Sequence, residues 1–490
     1  MNVFPTLALL TLFLPSSGDS PPQDAGRRPN VIYVLADDLG YGELGCYGQE
    51  RIRTPNVDRL AAEGMRFTQH YSGSPVCAPS RCVLLTGRHT GHAVVRDNWE
   101  NGGWGPDEPE GQLPLPEGTV TLPSLLRDAG YRTACVGKWG LGGPGTSGAP
   151  ERQGFDLFLG YLCQRVAHNY YPTHLWRNGE RVALEGNDYF RAHQRIDAPL
   201  PDNASYWERY ARVHYAPDLM IEEALRFIRE SAETPFFLYF ASPVPHAAIQ
   251  VPPEELKAYP AAWDEQPYLG GKGYLPHPSP RRGYAAMVSR LDRDVGRLLE
   301  LVEELGLAED TLVMFSSDNG PTYNGGTDSE FFDSAGGLRG LKGSLYEGGL
   351  RVPLVVRWPG RIAAGSSTDH VSGFQDVLPT VLELAGLEPV AGIDGISFAP
   401  TLLGRAGQEQ HGHLYWEYAR RQAIRMGDWK GVRPRLPRGD LELELYHLVR
   451  DPGERRDVRA DFPAVADELA RRLAASRTVS AVFPIPALDG

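Results

Sequence analysis

The order of elements along the chain is what most restricts its fold. Amphipathic helical stretches lead directly into short apolar runs that stop at Asp, Gly or Pro. Residues 30–36 (NVIYVLA) are largely apolar and rich in β-branched side chains, as in a strand covered on both faces. Residues 122–129 carry a helical pattern closed by Gly130 and run into a second strand at 132–136. The same succession recurs with a helix at 217–231 before a strand at 235–241, and with a long helix at 284–305 before a strand at 311–317. Helix-then-strand repetition builds βαβ units. The expected fold is therefore α/β: a large mixed, mainly parallel sheet sandwiched by helices, with further helices at 54–64 and 377–385 and a strand at 352–358.

A turn-rich stretch at 386–404 reads as a boundary. Beyond it lie four strand-like pieces, at 412–418, 422–426, 429–432 and 443–448, and one helix at 463–475. This gives a catalytic-sized domain over 28–390 and a smaller C-terminal α+β subdomain over 400–485, a short antiparallel sheet plus one helix. Residues 1–18 have an apolar core at 7–14 followed by small residues, the pattern of a signal peptide, so a secreted or periplasmic location is expected. That core is too short to span a bilayer, and no later run has membrane length. The formal net charge of −13 over 490 residues argues against nucleic acid or an anionic membrane as partner. An anionic substrate would have to be held by a few local cations. Five cysteines, an odd and sparse set, do not hold such a chain together, and no zinc-type spacing accompanies them.

In open α/β sheets, ligands bind beyond the carboxyl ends of the strands. Asp37 and Asp38, Lys138, His246, and Asp318 with Asn319 each fall just past such an end, so residues far apart in sequence become candidates for one crevice. The acids and Asn319 offer only oxygen ligands, which suits Ca²⁺ or Mg²⁺; taken singly, they also suit strand-end caps. Lys138 is equally compatible with a solvated strand end, and His246 with a packed loop. The stretch 74–88 (SPVCAPSRCVLLTGR) reads as a short helix with Pro79 in its first turn and Gly87 at its end. Cys77 then lies at the helix N-terminus, where free N–H groups favour an anion, and Arg81 lies one turn on. A buried structural Cys beside an Arg with another task is the alternative. Lys342 sits in a Gly-rich loop at 336–343. Arg96, Asn98, His168, Asn169, Tyr170 and Tyr171 mix cations, amides and aromatics, a composition that suits carbohydrate but is also common in ordinary loops.

Cys77-Ala78-Pro79-Ser80-Arg81 followed by Leu84-Leu85-Thr86-Gly87-Arg88 resembles the signature of the type I sulfatases, within the alkaline-phosphatase-like superfamily. The resemblance extends to Asp37-Asp38, Gly137-Lys138-Trp139, Pro245-His246, Ser317-Asp318-Asn319-Gly320 and the 340–353 loop. It implies a sulfuric ester hydrolase in which Cys77 is oxidised by a formylglycine-generating enzyme to Cα-formylglycine, whose hydrate is the nucleophile. It implies Ca²⁺ held by Asp37, Asp38, Asp318 and Asn319 with the modified Cys77. Arg81 would then steady the hydrate, and Lys138, His246 and Lys342 would bind sulfate oxygens. The expected substrate is a sulfated carbohydrate. A phosphonate or phosphate diester hydrolase of the same superfamily, and an unmodified glycan-binding protein, are the alternatives. The chain departs from the pattern at Gly140, where related sequences commonly carry His two positions after the Lys. His168 or His92 is expected to fill that role, with His92, Arg96, His168 and Asn169 as substrate-binding candidates.

Overall fold

The computed structural model describes residues 28–489 except 104, 264 and 265; the expected signal peptide at 1–18 lies outside the described residues. At its centre the strands Thr311–Ser317, Asn30–Ala36, Phe236–Ala241, Arg132–Lys138 and Leu157–Tyr161 lie side by side, every neighbouring pair parallel. They belong to an eleven-stranded sheet. Val31, Tyr33 and Leu35 face one apolar layer, and Ile32, Val34 and Ala36 face the other, the alternation a strand must have when both faces are covered. Helices Pro55–Ala62, Ala216–Glu230 and Pro280–Glu304 cover the second face. Helices Cys77–Thr86, Leu122–Asp128 and Val377–Leu384 cover the first.

The margins of the sheet are antiparallel. Arg351–Arg357 pairs antiparallel with Thr311–Ser317 and with Met65–Tyr71. Only the one-turn helix Glu347–Leu350 precedes it, so there is no crossover helix to return the chain to the opposite end, as a parallel strand requires. On the far side Leu157–Tyr161 is followed by the antiparallel strands His174–Arg177 and Glu180–Ala183.

Leu414–Tyr418, Arg421–Met426, Trp429–Arg433 and Glu444–His447 form the expected four-stranded antiparallel sheet. Its two faces have different tasks. Tyr415, Ile424 and Leu445 pack on Leu469 and Leu473 of helix Pro463–Ala475. Leu414, Trp416, Ala423 and Val432 pack on Tyr71, Leu345 and Leu350 of the large sheet's margin. This second face presses the C-terminal unit against the loop that carries Lys342.

Candidate active site

Parallel register assembles the crevice. Ala36 stands opposite Ser317, so Asp37-Asp38 and Asp318-Asn319 leave adjacent strands together. Leu35 and Gly137 both stand opposite Ala241, which brings Lys138 and the loop to His246 to the same edge. Above them sits helix Cys77–Thr86. Its N-cap Val76 is extended, and it ends at Gly87, whose φ of 69° is the left-handed conformation that a helix C-terminus commonly requires. Every residue of this helix is buried, and Cys77 is its first.

The Cys77 Sγ lies 3.5 Å from Asp37 Oδ1, 3.5 Å from Lys138 Nζ and 3.5 Å from Lys342 Nζ. Lys138 Nζ donates to Asp37 Oδ2 at 2.5 Å. Lys342 Nζ donates to Asp38 at 2.8 Å and to His246 Nε2 at 3.0 Å. The Arg81 guanidinium grips Asp318 Oδ2 through Nε at 3.1 Å and Nη2 at 2.8 Å, with Asp37 Oδ2 3.4 Å away. Asn319 donates through Nδ2 to Asp38 Oδ1 at 2.7 Å. Asp38 itself holds a left-handed φ of 66°, strain of about 1 kcal/mol or more that surrounding contacts must offset. Its N–H is bound to Asp318 Oδ1 at 3.1 Å.

Three buried carboxylates therefore face two buried cations, Arg81 and Lys138, and the half-buried Lys342. Burial alone would raise Asp37, but Lys138, His246, Arg81 and Lys342 outweigh it and hold its carboxyl well below the usual range. Asp318 goes the other way, raised by burial and by the charge of Asp37. Burial would lower Lys138 and Lys342; the partner carboxylates Asp37 and Asp38 reverse this and keep both ammoniums charged. Burial pushes the Cys77 thiol up, so the unmodified side chain is a protonated thiol at neutral pH and a poor nucleophile. His246 is lowered to about 4 by burial and then by Lys342; with Nδ1 against the Ala247 carbonyl, its Nε2 is free to accept.

The residues fit a hard divalent cation. Asp37, Asp38, Cys77 and His246 each place a ligand atom within 4.8 Å of the others. Asn319 Oδ1 is buried and has no hydrogen-bond partner among the described residues, which leaves it open as an oxygen ligand for such a cation.

A cavity of about 230 Å³ opens over this centre, lined by Cys77, Lys138, His246 and Lys342 and by His168, Asn98, Gln164, Tyr274 and Tyr418. His168 stacks on His246 with ring centroids 4.8 Å apart and planes 6° from parallel. His92, Arg96 and Asn169, the other sugar-binding candidates, lie outside this cavity. His92 is bound through Nδ1 to Asp394 Oδ1 at 2.8 Å and stacks on His89. Arg96 spends its guanidinium on Glu417 at 3.0 Å and on the Thr478 carbonyl at 2.9 Å, tying the C-terminal unit down. Neither lines the Cys77 cavity. The Asn169 amide is bonded to the backbone of Tyr171, and the residue borders a neighbouring cavity of about 620 Å³ with Trp176, Tyr189 and Phe190. Tyr170 braces the His246 loop through its hydroxyl, which donates to the His246 carbonyl at 2.7 Å. Gln164 and Tyr418 were missed. Gln164 follows strand Leu157–Tyr161, whose Tyr161 pairs with Lys138, so the same strand-end rule reaches it once that strand is known. Tyr418 arrives from the C-terminal sheet, and no local signal marks it.

Comparison with known proteins agrees with this geometry. The Sulfatase family model matches residues 29–387, and the model for the C-terminal part of N-sulphoglucosamine sulphohydrolase matches residues 341–478. N-acetylgalactosamine-6-sulfatase of Rattus norvegicus is 32% identical over 91% of this chain and 84% of its own length. Arylsulfatase A of Homo sapiens is 35% identical over 91% of this chain and 86% of its own. A crystal structure of Ps i-CgsB in complex with k-i-k-neocarrahexaose superposes with a TM-score of 0.73 at 26% identity, over 92% of both chains. Family and activity follow together from matches of this length: the chain belongs to the sulfatase family and hydrolyses sulfate esters.

Proposed function

We propose that this sulfatase acts on a sulfated carbohydrate, using a formylglycine formed from Cys77 and a bound Ca²⁺. The observation that carries the proposal is the position of Cys77. It opens a buried helix 3.5 Å from one metal-type carboxylate and from two lysines. When present, the formylglycine hydrate supplies a geminal diol in place of the thiol, and Ca²⁺ held by Asp37, Asp38, Asp318 and Asn319 supplies Lewis-acid stabilisation of the developing charge. Arg81 keeps Asp318 and Asp37 in place while adding positive charge at the helix N-terminus. Lys138 and Lys342, both charged, are the donors to the sulfate oxygens, in a buried site where such donors act strongly. Neutral His246 accepts from Lys342, so the pair holds one proton within reach of the leaving oxygen. His168, stacked on His246 with ring centroids 4.8 Å apart, takes the role vacated at Gly140 in this reading.

Substrate class is supported by the names of the relatives, an N-acetylgalactosamine-6-sulfatase and a carrahexaose complex, and by the aromatic residues around the adjoining cavity. The apolar core at 7–14 supports secretion or a periplasmic location, where a maturating enzyme would meet the chain on its way. Among the described residues no helix is long and apolar enough to cross a membrane.

A panel of defined sulfated saccharides, assayed for released sulfate with and without added Ca²⁺, tests the reading. Sulfate release from at least one saccharide, weakened by chelation, is expected; turnover of aryl sulfates alone would contradict the carbohydrate assignment. Within that assay His168→Ala is expected to lower kcat by about 10²-fold, while His92→Ala stays within about twofold because its ring serves Asp394. Near-normal turnover of the His168 variant would remove that residue from the chemistry.

A further inference from the structure

The cavity over Cys77 encloses about 230 Å³, below the range of about 300–1,000 Å³ for pockets that bury a drug-sized ligand. It has room for the sulfate group and the ring that carries it, so the rest of a longer substrate must lie elsewhere. Two cavities adjoin it. One, of about 270 Å³, shares Tyr418 with it and lies against the C-terminal unit. The other, of about 620 Å³, is lined by residues of strand His174–Arg177. Tyr161 stands opposite Lys138, and Gly160 stands opposite Trp176. The larger cavity therefore lies beyond the same sheet edge as the crevice, two strands or about 10 Å along it. The one-turn helix Val166–His168 is the partition between them: His168 lines the Cys77 cavity and Val166 the larger one.

We propose that the larger cavity holds the sugar next to the sulfated one, so that the substrate is an oligosaccharide with an unsulfated ring against Trp176 and Tyr189. The inference rests on the carbohydrate reading and extends it by one unit of the glycan. A sugar ring presents apolar C–H faces and hydroxyl edges, and this lining has partners for both. Trp176, Tyr189 and Phe190 supply aromatic surface. The Trp176 indole is already fixed: its Nε1 donates to Glu110 Oε2 at 2.8 Å, and its ring packs at 82° to that of His174. Little freedom is then lost when a sugar settles on it. Volume favours this cavity over the one at Tyr418, which is less than half as large. Charge decides against a second sulfate. Asp107, Glu108 and Glu110 line the cavity with Arg181 and Arg191, and three carboxylates to two guanidiniums leave no excess of positive charge to hold one.

The test uses the sulfated saccharide that wild type hydrolyses fastest, as monosaccharide and as disaccharide, with an aryl sulfate as reference. Wild-type kcat/KM is expected to rise by about tenfold or more from monosaccharide to disaccharide. Trp176→Ala is expected to lower the disaccharide-to-aryl-sulfate ratio of kcat/KM by about 30-fold, mainly through KM. Tyr189→Ala, at a side chain 41% exposed and so of little consequence for folding, is expected to lower it by about tenfold. Phe483→Ala, in the cavity at Tyr418, should leave that ratio within about twofold of wild type. A disaccharide with a second sulfate on the neighbouring ring is expected to be the poorer substrate. The assignment is overturned by no gain on lengthening, by an unchanged ratio in the Trp176 and Tyr189 variants, by a ratio that falls only in the Phe483 variant, or by preference for the doubly sulfated disaccharide. Turnover of the aryl sulfate with no saccharide hydrolysed would remove the carbohydrate reading itself, and this assignment with it.

Discussion

Cys77→Ala is expected to lower kcat on an aryl sulfate by about 10⁴-fold or more, with little change in stability. The two halves of this expectation come from the same geometry. Cys77 is 1% exposed but small, and its sulfur makes only long contacts, 3.5 Å each, to Asp37, Lys138 and Lys342. Those partners keep shorter bonds among themselves, Lys138 with Asp37 at 2.5 Å and Lys342 with Asp38 at 2.8 Å, so the ion pairs survive the truncation. The missing sulfur leaves a void smaller than those made by Leu→Ala changes, and costs about 1 kcal/mol. The remaining lysines and acids still bind sulfate, but nothing in the crevice then provides an oxygen to attack sulfur. A steady-state assay beside a thermal melt checks both halves. A substantial loss of Tm, or retention of more than a few per cent of the activity, would count against the assignment of Cys77.

Lys430→Met is expected to destabilise the protein by about 3–5 kcal/mol and to lower activity from a distance. Lys430 is fully buried, 2.9 Å from Glu347 Oε1 and 3.2 Å from Glu454 Oε1. Glu347 also accepts from the Tyr71 hydroxyl at 2.6 Å, and its N–H donates to Glu454 Oε2 at 2.6 Å. Burial would raise Glu347, yet Lys430, then Arg351 and Arg425, hold it down to about 2. Glu454 is already raised, by burial foremost, with Lys430 the main opposing influence. Without Lys430 the raised group rises further. A carboxyl whose folded-state pKa exceeds its unfolded value stabilises the fold while protonated, and that contribution is lost as pH climbs through the folded value. The destabilisation should therefore be smaller at pH 5 than at pH 8, a trend that urea unfolding at the two pH values measures. Because Glu347 follows Lys342 by five residues and anchors its loop, kcat should fall as well. A pH-independent loss would contradict this account of the network.

Four of the five central strands could be read directly from the sequence because each is an apolar run buried on both faces; Leu157–Tyr161 was not read. Helix Cys77–Thr86 was marked by Pro79 and Gly87, and the C-terminal sheet by its regular turns. Of the marginal strands, Arg351–Arg357 was expected at 352–358, but others were not visible. Met65–Tyr71 mixes polar with apolar residues, and Glu180–Ala183 is exposed along its whole length, so neither shows the period of a buried strand. The crevice followed the same division. Asp37, Asp38, Lys138, His246, Asp318 and Asn319 were found by one rule, the strand exit, and the structure gathers them. His92 and Arg96 were placed with the sugar-binding candidates because their loops contain the right residue types. Their true partners, Asp394 and Glu417, lie 302 and 321 positions away, and nothing local distinguishes an Arg awaiting a ligand from one awaiting a distant carboxylate. Gln164 escaped the strand-exit rule because Leu157–Tyr161, the strand it follows, was not among those read from the sequence.

The most direct test of the central claim is mass spectrometry of the tryptic peptide running from Phe67 to Arg81, taken from protein isolated from its native host. The expected result is a peptide in which the Cys77 thiol is replaced by an aldehyde, resistant to thiol alkylation and reactive with a hydrazide. An intact, alkylatable Cys77 in protein that nonetheless hydrolyses sulfate esters would contradict the formylglycine mechanism.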